Sequence, residues 1–152
     1  MYRVQLYNLA TCYLEMCRDD EAMCYYRETL RVERKALGNN HRDVILTLLH
    51  YGQVLQGRGE HQQALKYYRE ALAAQSRVGV KTGIPDYATS ARILNHMGNI
   101  YLQRGEAKEM VEALSNALRQ FKLAGRNEEE LVVSGFNFYA LAKCHPEAPP
   151  AA

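Results

Sequence analysis

The hydrophobic positions of this chain recur at helical spacing, in paired runs. Between residues 51 and 72, large side chains stand at Tyr51, Leu55 and Tyr68 and small ones at Gly52, Ala64 and Ala71, and Gly59-Glu60 breaks the run in two. Residues three and four apart share a helix face, so the pattern predicts two short helices folded against each other, with the small residues admitting the neighbouring backbone and the large ones filling the gap. One such hairpin cannot bury its own apolar face, which requires the pattern to repeat. It does so upstream in Leu9, Ala10, Tyr13, Ala22, Tyr26 and Leu30. Downstream it returns in Met97, Gly98, Tyr101, Gly105, Leu114, Ala117 and Leu118, with Met110 in the small slot of the second helix. The small residue of the first helix falls at Ala10, Gly52 and Gly98, spacings of 42 and 46.

Helices are expected at about 2–17, 20–37, 42–57, 60–78, 85–104, 106–124 and 128–143. Gly38 and Gly79 are expected to stop helices in the left-handed conformation, and Pro85 to occupy a first helical turn, where its missing donor has no partner to lose. Asn127 before three glutamates offers a cap with carboxylates facing the positive helix end. The stretch from Gly79 to Ile84 is expected to be irregular. The last helix is expected to cover the third hairpin and end the array, and 145–152, rich in proline, to be disordered. The amino terminus enters its first helix at once, so its face is expected to continue a longer chain or to pair with something.

Composition narrows the class. The 152 residues suit one domain with a continuous core, and 47% hydrophobic with 24% charged residues is ordinary for a soluble globular chain. A net charge of +2 does not argue for nucleic acid, no apolar run is long enough to span a bilayer, and the first residues are too polar for a secretion signal. A cytoplasmic chain is expected. Of Cys12, Cys17, Cys24 and Cys144, three fall inside helix-period segments, which favours free, partly buried thiols over disulfides, and no short ligand pair suggests zinc. Most tyrosines, including Tyr13, Tyr26, Tyr68 and Tyr101, fall in packing slots.

With these slots the chain resembles the tetratricopeptide repeat family, completely over about 2–124 and as a cap over 128–143, although Leu6, Leu48 and Leu94 stand where an aromatic often opens the first helix. The stretch from Ala36 through Leu37, Gly38 and His41 to Asp43 and Val44 looks like the junction of kinesin light chain-type repeats, with Arg42 in place of the usual proline. The resemblance implies an all-α, right-handed superhelical solenoid of helical hairpins: three repeats, about 2–37, 42–78 and 85–124, plus a capping helix, in one domain over 1–144.

In such a solenoid the first helices line a concave surface. Counting from the small residue of each first helix, one slot holds Asn8, His50 and His96, another Thr11, Gln53 and Asn99, and a third Tyr7, Leu49 and Asn95; a more distant slot holds Val4, Leu46 and Arg92. Neutral hydrogen-bonding side chains with an apolar flank suit an extended peptide, with Tyr7, Leu46 and Leu49 supplying pockets. Arg92, with His50 and His96 when protonated, would favour a mildly acidic partner. The carboxylate clamp of chaperone-cofactor modules of the family is absent, because Tyr7 and Thr11 occupy its first slots. No Gly-rich phosphate loop, catalytic constellation, cofactor site or metal site is expected. The expected function is non-catalytic protein or peptide binding, as a scaffold or cargo-adaptor-like module; the alternative is a structural array, or self-association through the uncapped first helix.

Overall fold

A computed structural model describes residues 2–133. Those residues form seven α-helices and no strand: α1 (Tyr2–Glu15), α2 (Asp19–Leu37), α3 (Arg42–Gly57), α4 (His61–Thr82), α5 (Tyr87–Gln103), α6 (Ala107–Leu123) and α7 (Glu128–Val133). The remainder of the expected capping helix, the expected tail and Cys144 lie outside the described residues. The helices belong to two compact units, divided after Pro85.

In the first unit α1 packs on α2, α2 on α3 and α3 on α4. The small slot governs each close approach. A Cβ placed on Gly52 would lie 2.5 Å from Cε1 of Tyr68, whose ring is fully buried and whose hydroxyl donates to Gln56 Oε1 at 2.8 Å. Burial pushes the Tyr68 phenol far up from its ordinary value, so it remains a neutral donor. Around this contact Val44, Ile45, Leu48, Leu55, Ala64 and Ala71 are buried. In the second unit α5 packs on α6 by the same device, a Cβ on Gly98 falling 2.5 Å from Cδ2 of the buried Leu114.

The turns within the three hairpins share one hydrogen-bond scheme. In α3–α4, Gly59 N–H donates to Gln56 O at 3.0 Å and Glu60 N–H to Leu55 O at 2.9 Å; α5–α6 repeats this through Gly105 and Glu106. These are left-handed helix ends of the Schellman type, and the pivot has positive φ, 78° at Gly59 and 72° at Gly105. The α1–α2 turn makes the same bonds, but its pivot is Cys17 at φ 56°, where a Cβ crowds the carbonyl.

Between the first two hairpins, Gly38 has φ 80° and His41 caps α3, its Nδ1 accepting from Asp43 N–H at 3.1 Å. Asn127 caps α7 as expected, accepting from Glu130 N–H at 2.9 Å. Between the second and third hairpins the expectation is corrected. Gly79 does not stop α4, which continues to Thr82 and ends at Gly83 in the left-handed conformation. A lone glycine lowers helix propensity by only about 1 kcal/mol, and Val78, Val80 and Lys81 carry the helix past it. A Cβ at Gly79 would meet Pro85 Cα at 3.4 Å, an ordinary contact with the returning chain. Pro85 lies outside α5, whose cap is Asp86, accepting from Thr89 N–H at 3.0 Å and Thr89 Oγ1 at 2.7 Å. The thiols of Cys12, Cys17 and Cys24 are free as expected but exposed rather than partly buried. Tyr26, Tyr68 and Tyr101 are core; Tyr13 is not, lying half-exposed, stacked on Tyr25 at 5.3 Å with the Arg18 guanidinium over its face.

Two substitutions read these constraints with opposite signs. Gly52→Ala should destabilise the chain by about 1–3 kcal/mol, because the Tyr68 ring has no space to retreat into. Cys17→Gly should stabilise it by roughly 1 kcal/mol by relieving the left-handed pivot. Urea denaturation followed by circular dichroism measures both.

Candidate ligand-binding face

In the first unit α1 and α3 touch, and their shared face carries six of the expected residues: Tyr7, Asn8 and Thr11 on α1, and Leu46, His50 and Gln53 on α3. Three of these are joined through a fourth residue absent from the expectation. The Tyr7 hydroxyl and His50 Nδ1 are hydrogen-bonded at 2.8 Å, and the Thr11 hydroxyl contacts the Tyr26 hydroxyl at 3.1 Å. The Tyr26 ring lies flat beneath the imidazole, centroids 6.1 Å apart and planes 16° apart, while Tyr7 meets it edge-on at 71°. Burial pushes the Tyr26 phenol up to about 12, the Thr11 bond acting in the opposite direction. The result is an aromatic platform held by its own hydrogen bonds, with Asn8 exposed beside it and Leu46 and Gln53 half-buried.

Leu49 departs from the expectation. It is fully buried, so it packs the interior and supplies no open pocket. In the second unit Arg92 is exposed and His96 and Asn99 are half-buried on α5, but Asn95 is 3% exposed and its side chain belongs to the packed interior. Spacing along one helix identifies a face; it does not tell whether another helix covers that face.

The same region of the first unit contains a cavity of about 280 Å³ bounded by α1, α2 and α3. Tyr7, Asn8 and Leu46 line it, together with Arg3, Glu33 and Asp43, which the slot reading missed. Arg3 Nη1 donates to Asp43 Oδ2 at 3.2 Å. Glu33 is 4% exposed and accepts from the Thr47 hydroxyl at 2.7 Å. Burial raises its carboxyl above the ordinary range, with the Thr47 bond and Arg3 opposing and Asp43 reinforcing. A signal for Glu33 was present in the sequence, since Ala22, Tyr26, Thr29 and Glu33 fall four, three and four apart and form the buried stripe of α2.

A family model described as tetratricopeptide repeat matches residues 2–77, half of the chain. The chain belongs to the tetratricopeptide repeat family. A second model with the same description matches residues 91–120 of this tetratricopeptide chain. No curated protein matches it. Among solved structures, BtubC (BKLC) from P. vanneervenii is similar with a TM-score of 0.81 and 19% identity, over 98% of this chain and 58% of that one. A putative kinesin light chain from Podosopora anserina with nearly identical TPR-like repeats is similar with a TM-score of 0.71 and 19% identity, over 92% and 64%. A single-residue variant of that protein gives 0.71 and 18%, over 92% and 63%. At these identities the likeness is one of fold, and it agrees with the expected kinesin light chain-type, all-α repeats. The tetratricopeptide chain spans 58% to 64% of the length of these structures. The fold is that of a protein–protein interaction scaffold, and such repeats are generally non-catalytic. Among the described residues no helix is long and apolar enough to cross a membrane, and no group of three or more His, Cys, Asp or Glu could hold a metal ion.

The buried carboxylate makes stability depend on pH with a definite sign. Because the folded Glu33 value is raised, its contribution is fully present below the ordinary carboxylate range and is lost as pH rises through the raised value. Glu33→Gln, which keeps an acceptor for Thr47, should therefore raise the urea midpoint at neutral pH, and the gain should shrink toward about pH 4. Paired urea titrations across pH measure it.

Proposed function

We propose that this tetratricopeptide chain is a non-catalytic interaction module that binds an extended peptide or partner helix through the exposed faces of its first helices, as a scaffold or adaptor. The observation that carries this reading is the platform of Tyr7, Thr11, Tyr26 and His50. Its side chains are fixed by one another before any ligand arrives, so little rotamer freedom remains to be lost on binding. Asn8, Gln53 and Asn99 add donors and acceptors suited to a peptide backbone. On α5, the exposed Arg92 with His96 would favour an acidic ligand residue. Free exposed thiols at Cys12, Cys17 and Cys24 suit a reducing, cytoplasmic setting.

A specific observation also supports self-association as the second reading. Leu9 is 44% exposed, whereas Tyr51 and Met97 in the same slot are 4% and 7% exposed; Tyr2 and Met16 are also open on α1 and the turn after it. The two readings separate in one set of measurements on the whole chain. Asn8, Gln53, Arg92 and Asn99 replaced together by alanine should weaken peptides selected on the unsubstituted chain by about tenfold or more, since each lost hydrogen bond is worth about 1 kcal/mol. Isothermal titration reads that loss. Unchanged affinity, with a dimer in light scattering that dissociates in the Leu9→Glu, Met16→Glu form, would instead favour self-association.

A further inference from the structure

The cavity between α1, α2 and α3 has a charge pattern that the groove reading does not use. Its carboxylates are unequal. Asp43 is paired with Arg3, the cation at the rim, while Glu33 at the floor is only 4% exposed and has a neutral hydroxyl as its hydrogen-bond partner. A carboxylate held in that way is poorly solvated, and the cavity beside it carries two acids against one base. Val4 and Leu46 form an apolar approach to this floor, and Asn8 adds an amide at the mouth.

We propose that this cavity is a subsite for an arginine side chain of the bound peptide, with the guanidinium against Glu33 and the methylene stem along Val4 and Leu46. A planar guanidinium is more weakly hydrated than an ammonium, presents a fork of donors that matches a carboxylate, and its stem tolerates apolar walls. The Glu33 carboxylate then exchanges a lone neutral donor for a charged one without the site having to dehydrate a well-solvated anion. An acidic side chain is excluded, because it would add a third carboxylate beside Glu33 and Asp43. Burial raises the Glu33 carboxyl, and Thr47 and Arg3 offset that only in part. The source of the arginine rests on the peptide-binding reading; the cavity's preference for a cation does not.

The two are distinguishable. The whole chain, labelled with nitrogen-15, is titrated with acetyl-arginine amide and separately with acetyl-glutamine amide, while a random peptide library displayed on phage is panned on the same protein. Saturable shifts of amides on α1 and α3 are expected with the arginine compound and not with the glutamine one. Glu33→Gln should weaken them about tenfold or more. Val4→Trp, which blocks the mouth from an exposed position, should abolish them in a chain whose melting curve shows it folded. Panning should enrich peptides that share an arginine. Equal shifts with both compounds, no shifts, or shifts unchanged in both variants would overturn the subsite. Enriched peptides without a basic residue would also overturn it while leaving peptide binding intact. Arginine amide bound in the cavity with no peptide enriched would support the subsite and overturn the peptide reading.

Discussion

Contact between a glycine on one helix and a large buried side chain on its partner sets the geometry of the second and third hairpins. At Gly52 the missing Cβ leaves room for the Tyr68 ring, and at Gly98 for Leu114. Interiors pack at near-crystalline density, so these contacts fix the rotation of α3 and α5 about their own axes as well as their distance from α4 and α6. That rotation sets where the polar side chains of these helices stand. With Gly52 pressed on Tyr68, the backbone of α3 turns His50 and Gln53 toward α1. The Tyr68 hydroxyl bound to Gln56 fixes where the tip of the ring lies between α3 and α4.

Much of this was legible because the small-residue and large-residue periodicities do not compete. Small and large residues at fixed offsets marked three hairpins, and the cap at Asn127 follows from a side chain that can accept a backbone N–H; His41, read only as part of a junction, caps α3 as well. What misled were residues whose local preference is weak. Gly79 reads as a stop, yet α4 passes through it and ends at Gly83, where the chain turns left-handed. Leu49 and Asn95 share a slot with Tyr7, but a slot defined along one helix says nothing about cover from another, and only the α1 member is half-open. Glu33 was the reverse case. Its spacing placed it on the buried stripe of α2, while its charge suggested water.

The proposed ligand face combines two environments that differ in how they hold polar groups. Around Tyr26 and His50 the hydrogen bonds link hydroxyls and an imidazole, and burial keeps the Tyr26 phenol protonated. In the cavity alongside, Glu33 is held where water is scarce, at a cost to folding at neutral pH. Stability and recognition therefore pull in opposite directions at this one side chain, as is common where a site is built into a packed interior. The surface ion pairs elsewhere, such as Arg34 with Glu70 between α2 and α4, add little by comparison because solvent screens them.

Cys17 gives the first hairpin a character of its own. Its turn stores backbone strain that the glycine pivots of the other hairpins avoid, and α1 with its turn leaves Tyr2, Leu9 and Met16 in solvent, although the slot of Leu9 is covered further along the chain. The strained turn closes the carboxyl end of α1. Tyr7 and Thr11 ride on that helix, whereas Tyr26 and His50 do not. The platform therefore joins side chains from both sides of that strained turn, and the Thr11–Tyr26 and Tyr7–His50 hydrogen bonds tie α1 to the rest of the unit.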